Sequence, residues 1–143
     1  MSATGVQLNW TSVGYTPSGG SLNTISRVNS VDFNYGGSLL AYSGDGNIFP
    51  TVLANNMNKP KASVHSANHG ITMGFTPGTK GTFTATAADA LGATNGAVVY
   101  TLINAVVADS TAGGQHSQYG NGVLTFEAFS SDGTTNPLSF ARS

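Results

Sequence analysis

The feature that most constrains this chain is its rhythm: short runs of alternating apolar and polar residues, each stopped by a glycine-bearing turn. Val6, Leu8 and Trp10 alternate with Gln7, Asn9 and Thr11, and Val31, Phe33 and Tyr35 repeat the pattern. Phe83, Ala85 and Ala87 alternate with Thr82, Thr84 and Thr86. A period of two puts each set on its own face of a strand, which is a strand signature and not a helical one. Threonine suits a strand face that is wet or covered by a partner. Val98 to Val107 is almost continuously apolar and reads as a strand buried on both sides. Val123 to Phe129 is apolar on both faces and reads as a central strand.

Turn chemistry separates these runs. Gly19-Gly20, Gly36-Gly37, Asp45-Gly46, Pro77-Gly78, Asn95-Gly96, Gly113-Gly114, Asn121-Gly122 and Asp132-Gly133 supply the backbone freedom that tight reversals require. The expectation is a mainly β protein, a sandwich or barrel of antiparallel strands. One short flanking helix is expected over about 66–73, with Ser66 as its cap, Ile71 and Met73 facing the core and Gly74 ending it. Gly70 weakens that helix by about 1 kcal/mol relative to alanine. The segment 36–50 sets Leu39, Leu40, Tyr42, Ile48 and Phe49 among glycines and serines. Long glycine-rich loops bearing exposed apolar residues meet partners, so these five residues are the expected subunit interface. No repeat of fixed period and no linker divides the chain, so residues 1–143 read as one domain.

Composition sharpens the functional reading. Gly, Thr, Ser and Asn supply 65 of the 143 residues, and only 8% are charged, against about 25% in an ordinary soluble domain. A surface of hydroxyls and amides is less costly to desolvate than one of ions, which suits a protein covered by other subunits. The absence of cysteine removes disulfide frameworks, thiolate metal sites and cysteine nucleophiles. No apolar run approaches the roughly 20 residues that span a bilayer, so no membrane insertion is expected. Met1-Ser-Ala-Thr-Gly-Val-Gln has neither a basic start nor an apolar stretch, so no secretory leader is expected, and the sequon Asn9-Trp10-Thr11 stays unmodified. A formal charge of −1 argues against a free-standing nucleic-acid binder.

Catalytic and cofactor patterns fail one by one. His65 and His69 are four apart, but no glutamate lies between them and His116 is distant, so no metal site is expected. Asp45-Gly46-Asn47 and Asp132-Gly133-Thr134-Thr135-Asn136 lack the further acids of a calcium loop and read as turns. In Gly78-Thr79-Lys80-Gly81-Thr82 the lysine precedes the second glycine, which breaks the Walker order. Gly44-Asp45-Gly46 fails the dinucleotide fingerprint at Phe49. Acids are scarce (Asp32, Asp45, Asp89, Asp109, Glu127 and Asp132), and no base is oriented by one, so no catalytic residue and no cofactor is expected. Glu127 sits among apolar neighbours and pairs with a cation or points to solvent. Lys59, Lys61 and Lys80 fall on turns or strand ends, where they keep edges soluble.

The C-terminal half resembles the tail tube proteins of long-tailed bacteriophages. The resemblance rests on Met73-Gly74-Phe75-Thr76-Pro77-Gly78-Thr79-Lys80-Gly81-Thr82-Phe83-Thr84, a short helix running into a Pro-Gly turn and a strand. It continues in Tyr100-Thr101-Leu102-Ile103-Asn104-Ala105-Val106-Val107 and the loop to Tyr119-Gly120. It closes with Leu124-Thr125-Phe126-Glu127-Ala128-Phe129-Ser130-Ser131-Asp132-Gly133 and Asn136-Pro137-Leu138-Ser139. It covers about residues 60–140 and is a likeness in the order of elements.

The resemblance implies a β-sandwich with a flanking helix that forms hexameric rings. The rings stack into the hollow tail tube of the virion, made in the host cytoplasm. Implied partners are other copies of the chain, a tape measure protein, a tail terminator, and double-stranded DNA in transit during ejection. DNA must slide without sticking, so the bore should be poor in free Lys and Arg. A ring of six would carry a formal charge of −6, provided Arg27, Lys59, Lys61 and Lys80 face elsewhere or pair. Thr82, Thr84 and Thr86 are the expected lumen wall. A capsid decoration protein, a small β-domain bound to a shell and often trimeric, is the competing reading. A sugar-binding platform of Trp10, Tyr15, Tyr35 or Tyr42 is disfavoured because Trp10 alternates as a core residue does.

Overall fold

The computed structural model describes residues 8–44, 46, 48–50, 52–89 and 97–142. Val6, Asp45, Asn47 and the Asn95-Gly96 turn lie outside the described residues. The strands run in chain order as β1 (Leu8–Pro17), β2 (Asn23–Thr24), β3 (Val28–Asn34), β4 (Gly37–Tyr42), β5 (Val52–Asn58) and β6 (Lys61–Ser66). After helix α1 (His69–Met73) come β7 (Lys80–Asp89), β8 (Val98–Gly113), β9 (Asn121–Ala128) and β10 (Leu138–Arg142). All pairings are antiparallel. One eight-stranded sheet follows the order β2-β1-β7-β8-β9-β6-β3, with β10 on the outer part of β8, while β4 and β5 form a separate two-stranded sheet. The large sheet curls until β3 touches β1, without closing into a barrel.

The predicted alternation holds where it is cleanest. Phe83, Ala85 and Ala87 are buried while Thr82, Thr84 and Thr86 lie half-buried on the other face. Inside the curl the aromatic rings form a column. Phe83 stacks on Phe126 at 4.7 Å, Phe126 on Tyr15 at 4.8 Å, and Phe75 meets Tyr15 edge-on at 5.5 Å. Such pairs add roughly 0.5–1.5 kcal/mol each beyond their area burial. The Tyr15 hydroxyl reaches through this column and donates to the carbonyl oxygens of Ala105 (2.9 Å) and Thr79 (3.0 Å). Burial pushes its pKa up to about 12. Trp10 packs against the core, as its alternation predicts.

Three expectations need correction. Val98–Val107 is not buried on both sides: Leu102, Ala105 and Val107 are buried while Ile103 is exposed. A bulge explains the apparent continuity. Asn104 adopts φ 52°, the pairing with β7 slips there, and the inward residues change from even to odd numbers. An apolar residue is therefore needed at successive positions without a second buried face.

The helix is shorter than expected and starts at His69, with Ser66 belonging to β6 instead. The Ser66 hydroxyl donates to the Ser26 carbonyl (2.6 Å) and accepts from the Asn68 amide (3.0 Å), so it fixes the strand-to-helix corner rather than capping the helix. Ile71 packs on the core, but Met73 is 55% exposed and the buried residue is Thr72. Thr72 donates from Oγ1 to the carbonyls of His69 and Thr111, an i−3 bond that competes with solvent and lets a hydroxyl be buried.

The third correction concerns Asn121-Gly122, which is the first step of β9 and not a turn. Gly122 is required by contact: a Cβ there would run into Thr72 Oγ1 and crowd His69 Cα at 3.0 Å. Glycine thus allows α1 to sit directly on the β8–β9 arm.

Candidate assembly surfaces

The segment expected to be a glycine-rich loop is a β-hairpin with a long connection. β4 pairs with β5 from Gly37↔Asn58 to Tyr42↔Val52, and neither strand joins the large sheet. Its base is fixed locally. The Gly36 amide donates to Asn34 Oδ1 (2.6 Å) and the Lys59 amide to the Gly36 carbonyl (3.4 Å). Gly36 has φ 62°, and a Cβ would collide with the Lys59 carbonyl oxygen, so only glycine serves there. From that fixed base the hairpin projects with every residue of β4 exposed.

All five residues expected at a subunit interface lie on this hairpin and are exposed: Leu39 64%, Leu40 58%, Tyr42 66%, Ile48 88% and Phe49 75%. Val52, Leu53 and Met57, which the sequence reading missed, are exposed beside them. The eight side chains together show on the order of 1,000 Å² of largely apolar surface, against about 800 Å² buried by each partner of a standard interface. The register divides them between two faces. Leu40, Tyr42 and Val52 share one, while Leu39 and Leu53 share the other. An isolated hairpin of two strands is marginal in water, and one apolar on both faces has no side to turn to solvent. Ala54 opposite Leu40, Asn55 opposite Leu39 and Ser38 opposite Met57 dilute it.

Thr82, Thr84 and Thr86 pair with β1 on one side, and Thr84 and Thr86 pair with β8 on the other, Thr82 falling at the register shift. Thr16 stands opposite Thr82 and Thr101 opposite Thr84, with Ser139 opposite Thr101 on β10. The result is a neutral patch of hydroxyls across four strands. Lys80, at the start of the threonine strand, lies over the Phe129 ring at 5.7 Å. Lys61 and Lys80 open β6 and β7, at strand ends as expected, but β6 is an interior strand between β9 and β3, and Lys61 Nζ is 3.6 Å from Glu127 on the adjacent strand.

The remaining candidates stay apart. His65 is on β6 and His69 opens α1, so they do not share a helix face. Among the described residues no group of three or more His, Asp or Glu side chains could hold a metal ion. Asp132 spends its oxygens on its own turn. It accepts from Thr135 Oγ1 (2.6 Å), the Thr135 and Thr134 amides (2.7 and 2.9 Å) and Ser130 Oγ (2.8 Å). These bonds, the Thr135 hydroxyl's first, hold its carboxyl well below the usual carboxylate range. Among the described residues no helix is long and apolar enough to cross a membrane.

No protein-family model matches the chain, and no curated protein does. Among solved structures, it is similar to a chain in the cryo-EM structure of the anti-feeding prophage baseplate, 6-fold symmetrised. The TM-score is 0.59 at 10% identity, over 99% of this chain and 98% of that one, which shows a shared fold along the whole length.

Proposed function

We propose that this chain is a structural protein of a phage-tail-like particle, polymerising as stacked hexameric rings into the tail tube that conducts DNA. The observation that carries the reading is the projecting hairpin, apolar on both faces, on a fold shared end to end with a chain of a 6-fold symmetrised baseplate. A hairpin of this kind is stable when it is held between two neighbours, and a ring of identical subunits stacked on another ring supplies both. No catalysis and no cofactor enter this reading. Other copies of the chain are its principal partners, with tape measure and terminator proteins meeting the bore and the tube end.

The hydroxyl patch of Thr82, Thr84, Thr86, Thr16 and Thr101 is assigned to the bore. It offers DNA hydroxyl groups in place of a row of cations that would hold phosphates, with Lys80, two residues before Thr82 on the same strand, at its edge. The pairing of Lys61 with Glu127 supports that assignment, while Lys80 keeps its charge and lies against the Phe129 ring.

Leu40→Asp tests the assembly reading. The residue is 58% exposed, so the variant folds, with an unchanged far-ultraviolet spectrum. Burying an unpaired carboxylate in the contact should abolish sedimentable tubes. A variant that polymerises as the native protein does removes the hairpin from the contact.

A further inference from the structure

The strand directions place the hairpin and helix α1 at opposite ends of the curled sheet. β3 runs from Val28 to Asn34 and hands the chain to the hairpin, which returns it at Lys61. β6 then runs antiparallel, back to Ser66, and α1 begins three residues later. Beside α1, at the Pro17 end of β1, lies a groove of about 540 Å³. Pro17, Leu22, Ile71 and Phe75 form its apolar walls, with Thr24 and Thr79 among its polar rim, and no residue lining it is ionisable. Leu22 is 59% exposed there.

We infer that this groove receives Ile48 and Phe49 of a second copy, so that subunits join head to tail. The inference rests on the assembly reading above and names the receiving surface. Each copy has an apolar projection at one end and an uncharged apolar groove at the other. Contacts between unlike surfaces repeat along an axis, whereas a hairpin-to-hairpin contact closes as a dimer and stops. The two strands of the hairpin, like the groove, contain no ionisable residue other than Tyr42, and the one charge in the connection, Asp45, is three residues before Ile48, so the docking pair itself carries none. The groove's volume falls in the range of about 300–1,000 Å³ that encloses a drug-sized molecule, enough for these two side chains. The hairpin's on the order of 1,000 Å² of exposed apolar surface exceeds the about 800 Å² per partner of a standard interface, so it can fill the groove and still touch a lateral neighbour.

The chain contains no cysteine, so introduced thiols report cleanly. Phe49→Cys and Leu22→Cys, both at exposed positions, are prepared separately, mixed, concentrated and treated with a short bis-maleimide. Cross-linked dimer should exceed that of either variant alone by at least about tenfold, and Leu22→Asp should raise the concentration at which tubes form by at least about tenfold. Tubes visible in micrographs without excess mixed cross-link overturn the groove and leave the assembly reading standing. Strong dimer from Phe49→Cys alone also overturns it, in favour of hairpin-to-hairpin contact. If the native protein assembles at no concentration, both readings fall together.

Discussion

Replacing Tyr15 with phenylalanine removes one oxygen from a fully buried side chain of the core. That hydroxyl ties β1 to the Thr79 carbonyl before β7 and to the Ala105 carbonyl just after the β8 bulge. The Thr79 carbonyl keeps the Val107 amide as a donor, so the substitution should cost about 1–2 kcal/mol at neutral pH. The pH dependence is more specific. Burial raises the folded-state pKa from the ordinary value near 10 to about 12. A raised pKa means the folded state holds the proton more tightly. This contribution to stability is whole below about pH 10 and is lost as pH rises from there through about 12. Two units correspond to about 2.7 kcal/mol in full, and with these two pKa values about 1.4 kcal/mol has gone by pH 11. Urea unfolding of the unassembled protein at pH 8 and pH 11 should therefore show the native chain losing about 1.4 kcal/mol more than Tyr15→Phe. Equal losses in the two proteins would refute the burial of this phenol as the source of the shift.

Gly122→Ala should cost about 1–3 kcal/mol in thermal unfolding, because the new methyl displaces α1 through Thr72; an unchanged melting temperature would contradict that packing. The Thr135 amide resonance should stay constant as pH falls from 7 past about 4, because the Asp132 carboxyl it binds titrates below the ordinary range; a midpoint near 4 would show the turn bonds are not made. The Asp132 contribution is present above that ordinary pKa and disappears as pH falls through the depressed one. Lys61→Met should change stability by less than about 1 kcal/mol, since the pair with Glu127 is half exposed; a larger loss would mark a network beyond the two residues.

Much of this fold is written locally. The Phe83-Ala85-Ala87 alternation and the Val31-Phe33 pair predict which side chains enter the curl, because a strand has only two faces. Tyr35, the third member of the second set, lies past the end of β3 and is exposed. Local pattern fails where a tertiary contact decides. Nothing near Asn104 announces the bulge that switches β8 from even to odd, and nothing near Gly122 shows that Thr72, fifty residues earlier, requires its missing side chain. The apolar residues of 36–50 were visible, but the strand pairing was not, because β5 brings Val52, Leu53 and Met57 in an asparagine-rich run with no clean alternation. The groove beside α1 could not be read at all. Its walls come from β1, the turn after it, α1 and the segment following α1.

The most direct test of the account is electron microscopy of the concentrated native protein, with its mass in solution measured in parallel. Hollow tubes of six-fold rings, with the 37–58 hairpin between subunits and the Thr82-Thr84-Thr86 strand on the bore, are the predicted result. Discrete trimers or closed dimers at every concentration, or tubes whose bore is lined by another face, would contradict it.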